Sequence, residues 1–400
     1  MIQETIVNND YQTMSLGLER ISKLLTYFSN THKQTKIIHI GGTNGKGTVS
    51  RLVHFILTNK GFHTGLFTSP HLLTVRERFQ INNTIISDAD FNNYQNKVIR
   101  AWTEISDGKE ELTLFERYTA MAFLYFADRK VEYAVMEVGL GGRLDATNIS
   151  TPLVSVITSI DYDHQDILGS KLTDIAAEKG GIIKPGVPVV AGWNESSSVR
   201  NVIGNIAVMK NSPLTWTPSG NNLNLAIEAL NKIGIDVKSR EVDLSRFSNP
   251  GRLQLINTNP DVLVDGAHNY ASACYLNRYL HNKYPGKHII YIVAILKRKD
   301  AKQILDALSA SAGQFIFTGV SGQECYSHQE LAKMLPDNKN IIWQNTGDIK
   351  DALKKAQAIS EKYKESLICV TGSLYLIAEY FRSVLKLNKV ISYGGVNENE

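Results

Sequence analysis

The architecture follows from an apolar, strand-like run that leads into glycine-rich chain, Ile37-Ile38-His39-Ile40-Gly41-Gly42-Thr43-Asn44-Gly45-Lys46-Gly47-Thr48. A helical pattern over residues 48–59 follows it. A strand that runs through such a loop into a helix is the usual context for wrapping a phosphate with backbone N–H groups. Lys46 would supply a cation for the β and γ phosphates, and the Thr48 hydroxyl can ligate magnesium. The alternative is an ordinary strand-to-helix turn, and Gly47 departs from the usual P-loop spacing. The loop by itself predicts a site for ATP or a similar nucleotide.

Short apolar runs alternate with longer amphipathic stretches over most of the chain, which is the pattern of an α/β fold with a mostly parallel sheet. The pattern predicts strands over residues 37–40, 133–138, 154–158 and 187–190. It predicts helices over residues 48–59, 115–128 and 172–179. Residues 211–224 turn polar and are predicted to form a loop.

A second break follows a helical pattern over residues 224–233, and it reads Ser248-Asn249-Pro250-Gly251-Arg252. Beyond it, strands are predicted over residues 262–265, 289–295, 314–318, 340–343 and 367–371. We therefore predict two domains. A P-loop N-terminal domain over residues 1–248 carries the mostly parallel sheet, and a smaller, Rossmann-like α/β domain covers residues 249–400.

Bulk properties exclude several classes of protein. The 400 residues suit two or three domains at roughly 150 residues each, and the net charge of +4 is spread without basic runs, so no nucleic-acid partner is expected. Three widely spaced cysteines indicate neither a disulfide framework nor a zinc site. The start, residues 1–11, has no secretory pattern, and no apolar run approaches the roughly 18 residues of a membrane span. A cytoplasmic protein with no membrane partner is expected.

Three candidate ligand residues lie at or just beyond the ends of strand-like runs. Ser69 in Thr68-Ser69-Pro70-His71-Leu72 is, taken alone, typical of a turn or capping serine. Glu137 ends an apolar strand before a glycine-rich loop, where a carboxylate faces the ligand crevice of a parallel sheet; the alternative is a solvated carboxylate at the rim. His164 follows the next strand, and its position in the same crevice favours a ligand over the structural role usual for a lone histidine.

Lys179 stands before glycines at the end of a predicted helix. Its pattern alone is typical of a solvated lysine near a helix C-terminus, where a cation is favourable.

Taken together, these motifs resemble one family, folylpolyglutamate synthase/dihydrofolate synthase of the Mur ligase superfamily. The resemblance runs from Gly17 to about Leu376, and its motifs occur in order at residues 42–48, 68–72, 137–148, 163–164, 178–179, 249–252 and 265–269. It implies an ATP-driven ligation in which a pterin-linked carboxylate becomes an acyl phosphate and L-glutamate displaces the phosphate. The substrate would be dihydropteroate, reduced folates or both, handled by a monomer.

The resemblance also implies roles for individual residues. Lys46, His164 and Lys179 would be catalytic, with Lys179 matching a carbamylated lysine. Thr48, Ser69 and Glu137 would hold one magnesium ion, and His164 would help to hold a second. The ATP-binding residues would be Thr43, Asn44, Gly45, Lys46, Gly47, Thr48, Arg252 and Asp265. The other substrates would contact Thr113, Phe115, Glu116, Leu144, Asp145, Ala146 and His268, the last of these beside Asn269.

The chain departs from the family pattern at a few positions. Thr48 replaces the usual serine, Asn249 replaces a frequent tryptophan, residues 297–300 differ from Lys-Asp-Lys-Asp, and a Pro-Arg-Ala segment expected near residues 320–326 is missing. Two alternatives stay open: another Mur-type ligase acting on a cell-wall precursor, and a nucleotide-binding switch without ligase activity. The insertion of Gly47 favours the folate branch.

Overall fold

A computed structural model describes residues 17–218, 220–256, 259–336 and 341–386, so the predictions for residues 1–11 and for residue 340 lie outside the described residues. The described chain divides into two compact units, with the break between Ser248 and Asn249. No helix among the described residues has the length and apolar character needed to cross a bilayer.

The first unit is built on an eight-stranded sheet with helices on both faces. Its strands are β1 (Lys36–Gly41), β2 (Thr64–Phe67), β3 (Phe79–Ile81), β4 (Thr84–Ile85), β5 (Tyr133–Glu137), β6 (Val154–Ile157), β7 (Val189–Gly192) and β8 (Leu214–Thr217). Its helices are α1 (Glu19–Tyr27), α2 (Lys46–Asn59), α3 (Asp88–Ser106), α4 (Leu114–Asp128), α5 (Gln165–Leu168), α6 (Leu172–Gly180), α7 (Ser197–Met209) and α8 (Asn222–Lys232).

The strand order β4-β3-β2-β5-β1-β6-β7-β8 explains the sequence pattern. From β2 to β8 all neighbours are parallel, whereas β3 and β4 form an antiparallel extension. The central strands β1, β5 and β6 are buried almost throughout because both faces are covered, and such strands read as continuous apolar runs. Helices α2 and α8 pack on one face, and α1, α3 and α4 pack on the other.

The sheet order also decides where the site lies. Strand β1 pairs with β5 on one side and β6 on the other. The loops after these three parallel strands therefore leave the same edge of the sheet, side by side, in the crevice where α/β folds bind ligands.

The second unit holds a six-stranded sheet in the order β13-β12-β11-β14-β10-β9, parallel except for the β9–β10 pair. The strands are β9 (Gln254–Ile256), β10 (Val262–Val264), β11 (His288–Val293), β12 (Ala312–Phe317), β13 (Ile342–Asn345) and β14 (Ser366–Thr371). The helices are α9 (Tyr270–Lys283), α10 (Ala301–Ser309), α11 (His328–Met334), α12 (Ile349–Ser360) and α13 (Leu374–Ser383). The predicted α/β architecture with mostly parallel sheets is confirmed.

One predicted element is wrong. The polar segment 211–224, predicted as a loop, contains strand β8 and the start of α8. Strand β8 is the last in the sheet order, with three of its four residues only half-buried, so it needs no apolar run to form. Helix α2 also starts two residues earlier than predicted, at Lys46, because Gly45 in the left-handed region ends the loop there.

Candidate functional site

Two glycines shape the loop between β1 and α2. Gly42 and Gly45 have φ of 138° and 85°. A Cβ on Gly42 would collide with the Thr158 hydroxyl oxygen, and a Cβ on Gly45 would lie 2.8 Å from Oδ1 of Asn222. Only glycine fits these two positions, so the loop backbone can approach its neighbours, and by the same freedom a phosphate, closely.

The segment after β6 holds this loop in place. The Thr43 N–H donates to the Ser159 carbonyl at 2.7 Å, and the Asn44 N–H donates to the Ser159 hydroxyl at 2.9 Å. The Thr158 hydroxyl donates to the Asn44 carbonyl at 2.6 Å. These side chains hold in place the loop of residues 42–48, the predicted phosphate loop. Their role was not predicted from the sequence, in which the only signal was a Thr-Ser pair at a strand end.

Lys46 lies over its own loop. Its Nζ donates to the carbonyl oxygens of Gly42 at 3.0 Å and Thr43 at 3.1 Å. The predicted phosphate-binding cation is thus held at the mouth of the loop.

Glu137, Ser69 and the start of α2 meet at one point. The Glu137 side chain is only 2% exposed, and its Oε2 accepts a hydrogen bond from the Ser69 N–H at 3.0 Å. A Cβ on Gly47 would lie 3.5 Å from both carboxylate oxygens. Because Gly47 has no side chain, the space beside the carboxylate is open on the side of Gly47, the residue immediately before Thr48.

This arrangement fits a hard divalent cation. The Glu137 carboxylate, together with the predicted Thr48 and Ser69 hydroxyls, would leave most coordination positions to water and phosphate oxygens, which is how Mg²⁺ commonly binds beside nucleotides. Within the described ranges, no group of three or more histidine, cysteine, aspartate or glutamate side chains forms a self-sufficient metal site.

Lys179 lies beneath the phosphate loop, so the solvated position that its pattern favours is wrong. It is 4% exposed, and its Nζ donates to the Gly42 carbonyl at 2.9 Å. Burial lowers its pKa to about 7; the Lys46 charge acts in the same direction, and Asp163 and Asp145 oppose it. Helix α6 runs under the loop instead of pointing to solvent, and the helical pattern carries no signal of that.

His164 occupies the turn into α5 with φ of 51°, and its N–H is 3.0 Å from the Asp163 carboxylate that accepts from it. A histidine in the left-handed region is uncommon. Asp163, the residue before it, is one of the charges that oppose the lowering of the Lys179 pKa. A shared metal site with Glu137 stays a prediction.

The glycine-rich loop after β5 folds around Asp145. The buried carboxylate accepts four hydrogen bonds, from the N–H groups of Gly139, Leu140 and Thr147 and from the Thr147 hydroxyl. Four protein donors use the lone pairs of both oxygens, so the side chain positions the loop. Leu144 and Ala146 flank it in the chain, and their contact with a substrate stays a prediction.

Phe115 reaches the same loop from α4. A Cβ on Gly139 would lie 2.6 Å from the Phe115 ring, so the ring covers the loop backbone directly. Thr113 and Glu116 form the capping box of α4, with the Thr113 N–H and hydroxyl donating to Glu116 at 2.9 and 2.8 Å. Arg20, which the sequence analysis missed, also donates to both oxygens of the buried Glu116. Thr113 and Glu116 therefore present the half-buried Phe115 ring.

In the second unit, Arg252 and Asp265 lie together. Asp265 follows β10 and accepts from the N–H groups of Leu253 at 2.8 Å and Ala267 at 2.9 Å. The Arg252 guanidinium donates to the Gly266 carbonyl at 3.0 Å, and Nδ1 of His268 lies 2.8 Å from the same oxygen. The residues predicted to contact ATP in this unit thus lie on two adjacent segments, one before β9 and one after β10, which these hydrogen bonds join.

This combination of parallel sheet, glycine loop and strand-end carboxylate is that of an enzyme of the Mur ligase type. A model of the Mur ligase middle domain matches residues 40–259, and a model of the dihydrofolate synthetase C-terminal domain matches residues 252–383. The chain is 31% identical over 412 residues to the dihydrofolate synthase/folylpolyglutamate synthase of Bacillus subtilis, covering 91% of this chain and 94% of that protein. It is 33% identical over 426 residues to the dihydrofolate synthetase of Saccharomyces cerevisiae, with 92% and 98% covered.

A solved structure agrees. The bifunctional folylpolyglutamate synthase/dihydrofolate synthase of Yersinia pestis, complexed with AMPPNP and a manganese ion, matches with a TM-score of 0.83 and 28% identity, over 94% of this chain and 95% of that one. The chain therefore belongs to the dihydrofolate synthase/folylpolyglutamate synthase family. The predicted family and the predicted ATP-dependent ligase class are confirmed, and folate ligation is favoured over the cell-wall alternative.

Proposed function

We propose that this chain is a cytosolic, monomeric ligase that joins L-glutamate to dihydropteroate, with ATP as the energy source. The carboxylate oxygen of dihydropteroate attacks the γ-phosphorus of ATP and ADP leaves. The amine of glutamate then attacks the acyl carbon and inorganic phosphate leaves. Dihydropteroate is preferred over reduced folates in this proposal because the C-terminal match is to a dihydrofolate synthetase domain and the yeast relative carries that name alone.

One observation carries the proposal. The Gly42 carbonyl accepts hydrogen bonds from both Lys46 at 3.0 Å and Lys179 at 2.9 Å. Two amines on different elements thus converge on the phosphate loop, beside Glu137. Phosphoryl transfer depends on positioning and charge neutralisation more than on covalent chemistry by the protein, and this cluster supplies both.

Thr48, Ser69 and Glu137 are the residues that would hold a divalent cation, and Gly47 leaves it space. Such an ion, manganese in the Yersinia pestis structure, would neutralise charge on the phosphate oxygens when bound. A second ion near His164 is part of the proposal.

Lys179 is suited to carbamylation. A lysine with a pKa of about 7 is an unprotonated amine in about half of the molecules at pH 7 and in most of them above it, and that amine adds to CO₂ to give a carbamate while releasing one proton. The Lys46 charge that disfavours the ammonium favours the carbamate anion. The modified side chain would offer oxygen ligands to a metal.

The pterin would lie against Phe115 and the loop of residues 144–146. Phe115 supplies an aromatic face, while Thr113, Glu116 and Asp145 fix the backbone around it. In the second unit Arg252, Asp265 and His268 would contact ATP and glutamate.

Substrate assays test the function. Purified protein is given ATP, Mg²⁺ and glutamate with dihydropteroate, tetrahydrofolate or a cell-wall precursor in separate reactions, and phosphate release is measured. Release with dihydropteroate alone, or well above that with tetrahydrofolate, is expected. Phosphate release only with the cell-wall precursor would refute the proposal. ATP hydrolysis at the same rate with and without each carboxylate substrate would also refute it.

A further inference from the structure

A buried hydrogen-bond chain lies below the site, between the strand that feeds the phosphate loop and the loop that follows Glu137. His39, on β1, is 0% exposed, and its Nε2 lies 2.8 Å from the hydroxyl oxygen of Thr147. The Thr147 hydroxyl in turn donates to Oδ1 of Asp145. Asp145 Oδ2 accepts from the N–H groups of Gly139 at 2.9 Å and Leu140 at 3.0 Å.

The number of protons on each group decides which group donates in each hydrogen bond of this chain. A threonine hydroxyl has one proton, and Thr147 gives it to Asp145. The same oxygen can therefore only accept from His39, which makes the ring the Nε2–H tautomer with its lone pair on Nδ1. Nδ1 is buried and has no hydrogen-bond partner among the described residues. The imidazole is thus a neutral donor, in agreement with a pKa that burial lowers to about 3.

The far end of the hydrogen-bond chain reaches the loop after Glu137 and the Phe115 ring, which are proposed to contact the carboxylate substrate. Gly139 is two residues beyond Glu137, and the Phe115 ring lies on its backbone. Asp145 itself begins the short helical turn that carries Ala146. A shift of the Asp145 carboxylate would move the backbone under Phe115 and the predicted pterin-binding segment together.

We propose that His39 is a positioning residue for the carboxylate substrate: it donates to Thr147, which holds Asp145 and through it the loop of residues 139–146. His39 does not touch the substrate in this proposal, which rests on the proposed use of a pterin substrate. His39 lies on β1, three residues before Gly42. The hydrogen-bond chain therefore links the phosphate loop and the loop of residues 139–146 to the same strand.

Two substitutions at residue 39 separate this role from general packing. His39→Gln keeps an N–H donor close to the position of Nε2, whereas His39→Asn, equally polar, has its amide near Nδ1 and is too short to reach Thr147. Loss of one buried hydrogen bond to this network is expected to raise the KM for dihydropteroate about tenfold in His39→Asn. The KM for ATP should change less than about threefold, and His39→Gln should recover most of the dihydropteroate KM.

Thr147→Val and Thr147→Ser repeat the test from the other side. Thr147→Val removes the hydroxyl that links His39 to Asp145 and should raise the KM for dihydropteroate as much as His39→Asn does. Thr147→Ser should keep the hydroxyl and the wild-type KM. The KM of the double variant His39→Asn/Thr147→Val should not exceed that of the more affected single variant. Equal KM values for dihydropteroate in His39→Asn and His39→Gln would overturn the proposal. So would increases of similar size in the KM for dihydropteroate and the KM for ATP. If His39→Asn does not fold, the Thr147 pair decides on the same criteria.

Amide hydrogen exchange separates this proposal from the substrate assignment. The N–H groups of Gly139 and Leu140 should exchange about tenfold faster in His39→Asn and Thr147→Val than in the wild type or His39→Gln, whichever substrate the enzyme uses. Unchanged exchange in all variants refutes the positioning role. Altered exchange in a protein that does not ligate dihydropteroate refutes the substrate and leaves the role of His39 standing.

Discussion

Replacing Gly47 by alanine should make the protein slightly more stable. The same substitution should strongly raise the Mg²⁺ concentration that the enzyme needs for activity. Gly47 lies in the first turn of α2 without a positive φ, so alanine is compatible with its backbone. The added methyl carbon would lie 3.5 Å from both oxygens of Glu137, an ordinary contact that costs the fold nothing.

The same distance is unfavourable for a metal. Octahedral Mg²⁺ holds its oxygen ligands at about 2.1 Å, so ligands at neighbouring positions are about 3.0 Å apart. A carbon 3.5 Å from both carboxylate oxygens takes the volume of a neighbouring water ligand. Loss of such support typically weakens metal binding by about tenfold to a hundredfold, and the Mg²⁺ concentration for half-maximal phosphate release should rise by that factor.

Gly204→Ala is the matched control. Gly204 lies within α7, and a Cβ there would meet nothing within 4 Å. Alanine for glycine in a helix stabilises by about 0.5–1 kcal/mol, so both variants should melt a few degrees higher, about 2–4 °C at most. Only Gly47→Ala should need more Mg²⁺. A Gly47→Ala enzyme with the magnesium response of Gly204→Ala would refute the assignment of the metal to this space.

Three further outcomes are expected. Lys46→Ala should abolish phosphate release, while Lys60→Ala, just beyond the other end of α2, should leave it intact; an active Lys46→Ala enzyme would remove Lys46 from phosphate binding. Lys179→Ala should lose activity that formate or acetate partly restores, and a bare amine at Lys179 in active enzyme, seen by intact mass, would contradict carbamylation. In CO₂-free buffer the unfolding free energy should rise from about pH 7 towards pH 10, because the unfolded lysine still binds a proton that Lys179, with a pKa of about 7, has lost. Lys179→Met should lack this increase in chemical denaturation, and an unchanged pH dependence would show that Lys179 is not the group responsible.

Much of the fold was predictable because local rules decided it. Strands buried on both faces must be apolar, and the helices between them carry the matching periodicity, so β1, β5 and β6 were found almost to the residue. The exceptions follow the same physics. Strand β8 is half-buried at the end of the sheet order and was predicted as a loop, since nothing required its side chains to be apolar.

The pattern of residues is enough to identify the chemistry that is present: the glycines of the phosphate loop, a carboxylate at a strand end and the family to which these motifs belong. How these residues act depends on contacts that exist only in the folded chain. The order β5-β1-β6 brings Glu137, Gly47 and Lys179 to one edge of the sheet, and burial there turns an ordinary lysine into an amine with a pKa of about 7. Hydrogen bonds between distant segments, from Arg20 to Glu116 and between His39 and Thr147, give supporting roles to residues whose neighbours in sequence carry no information about such partners.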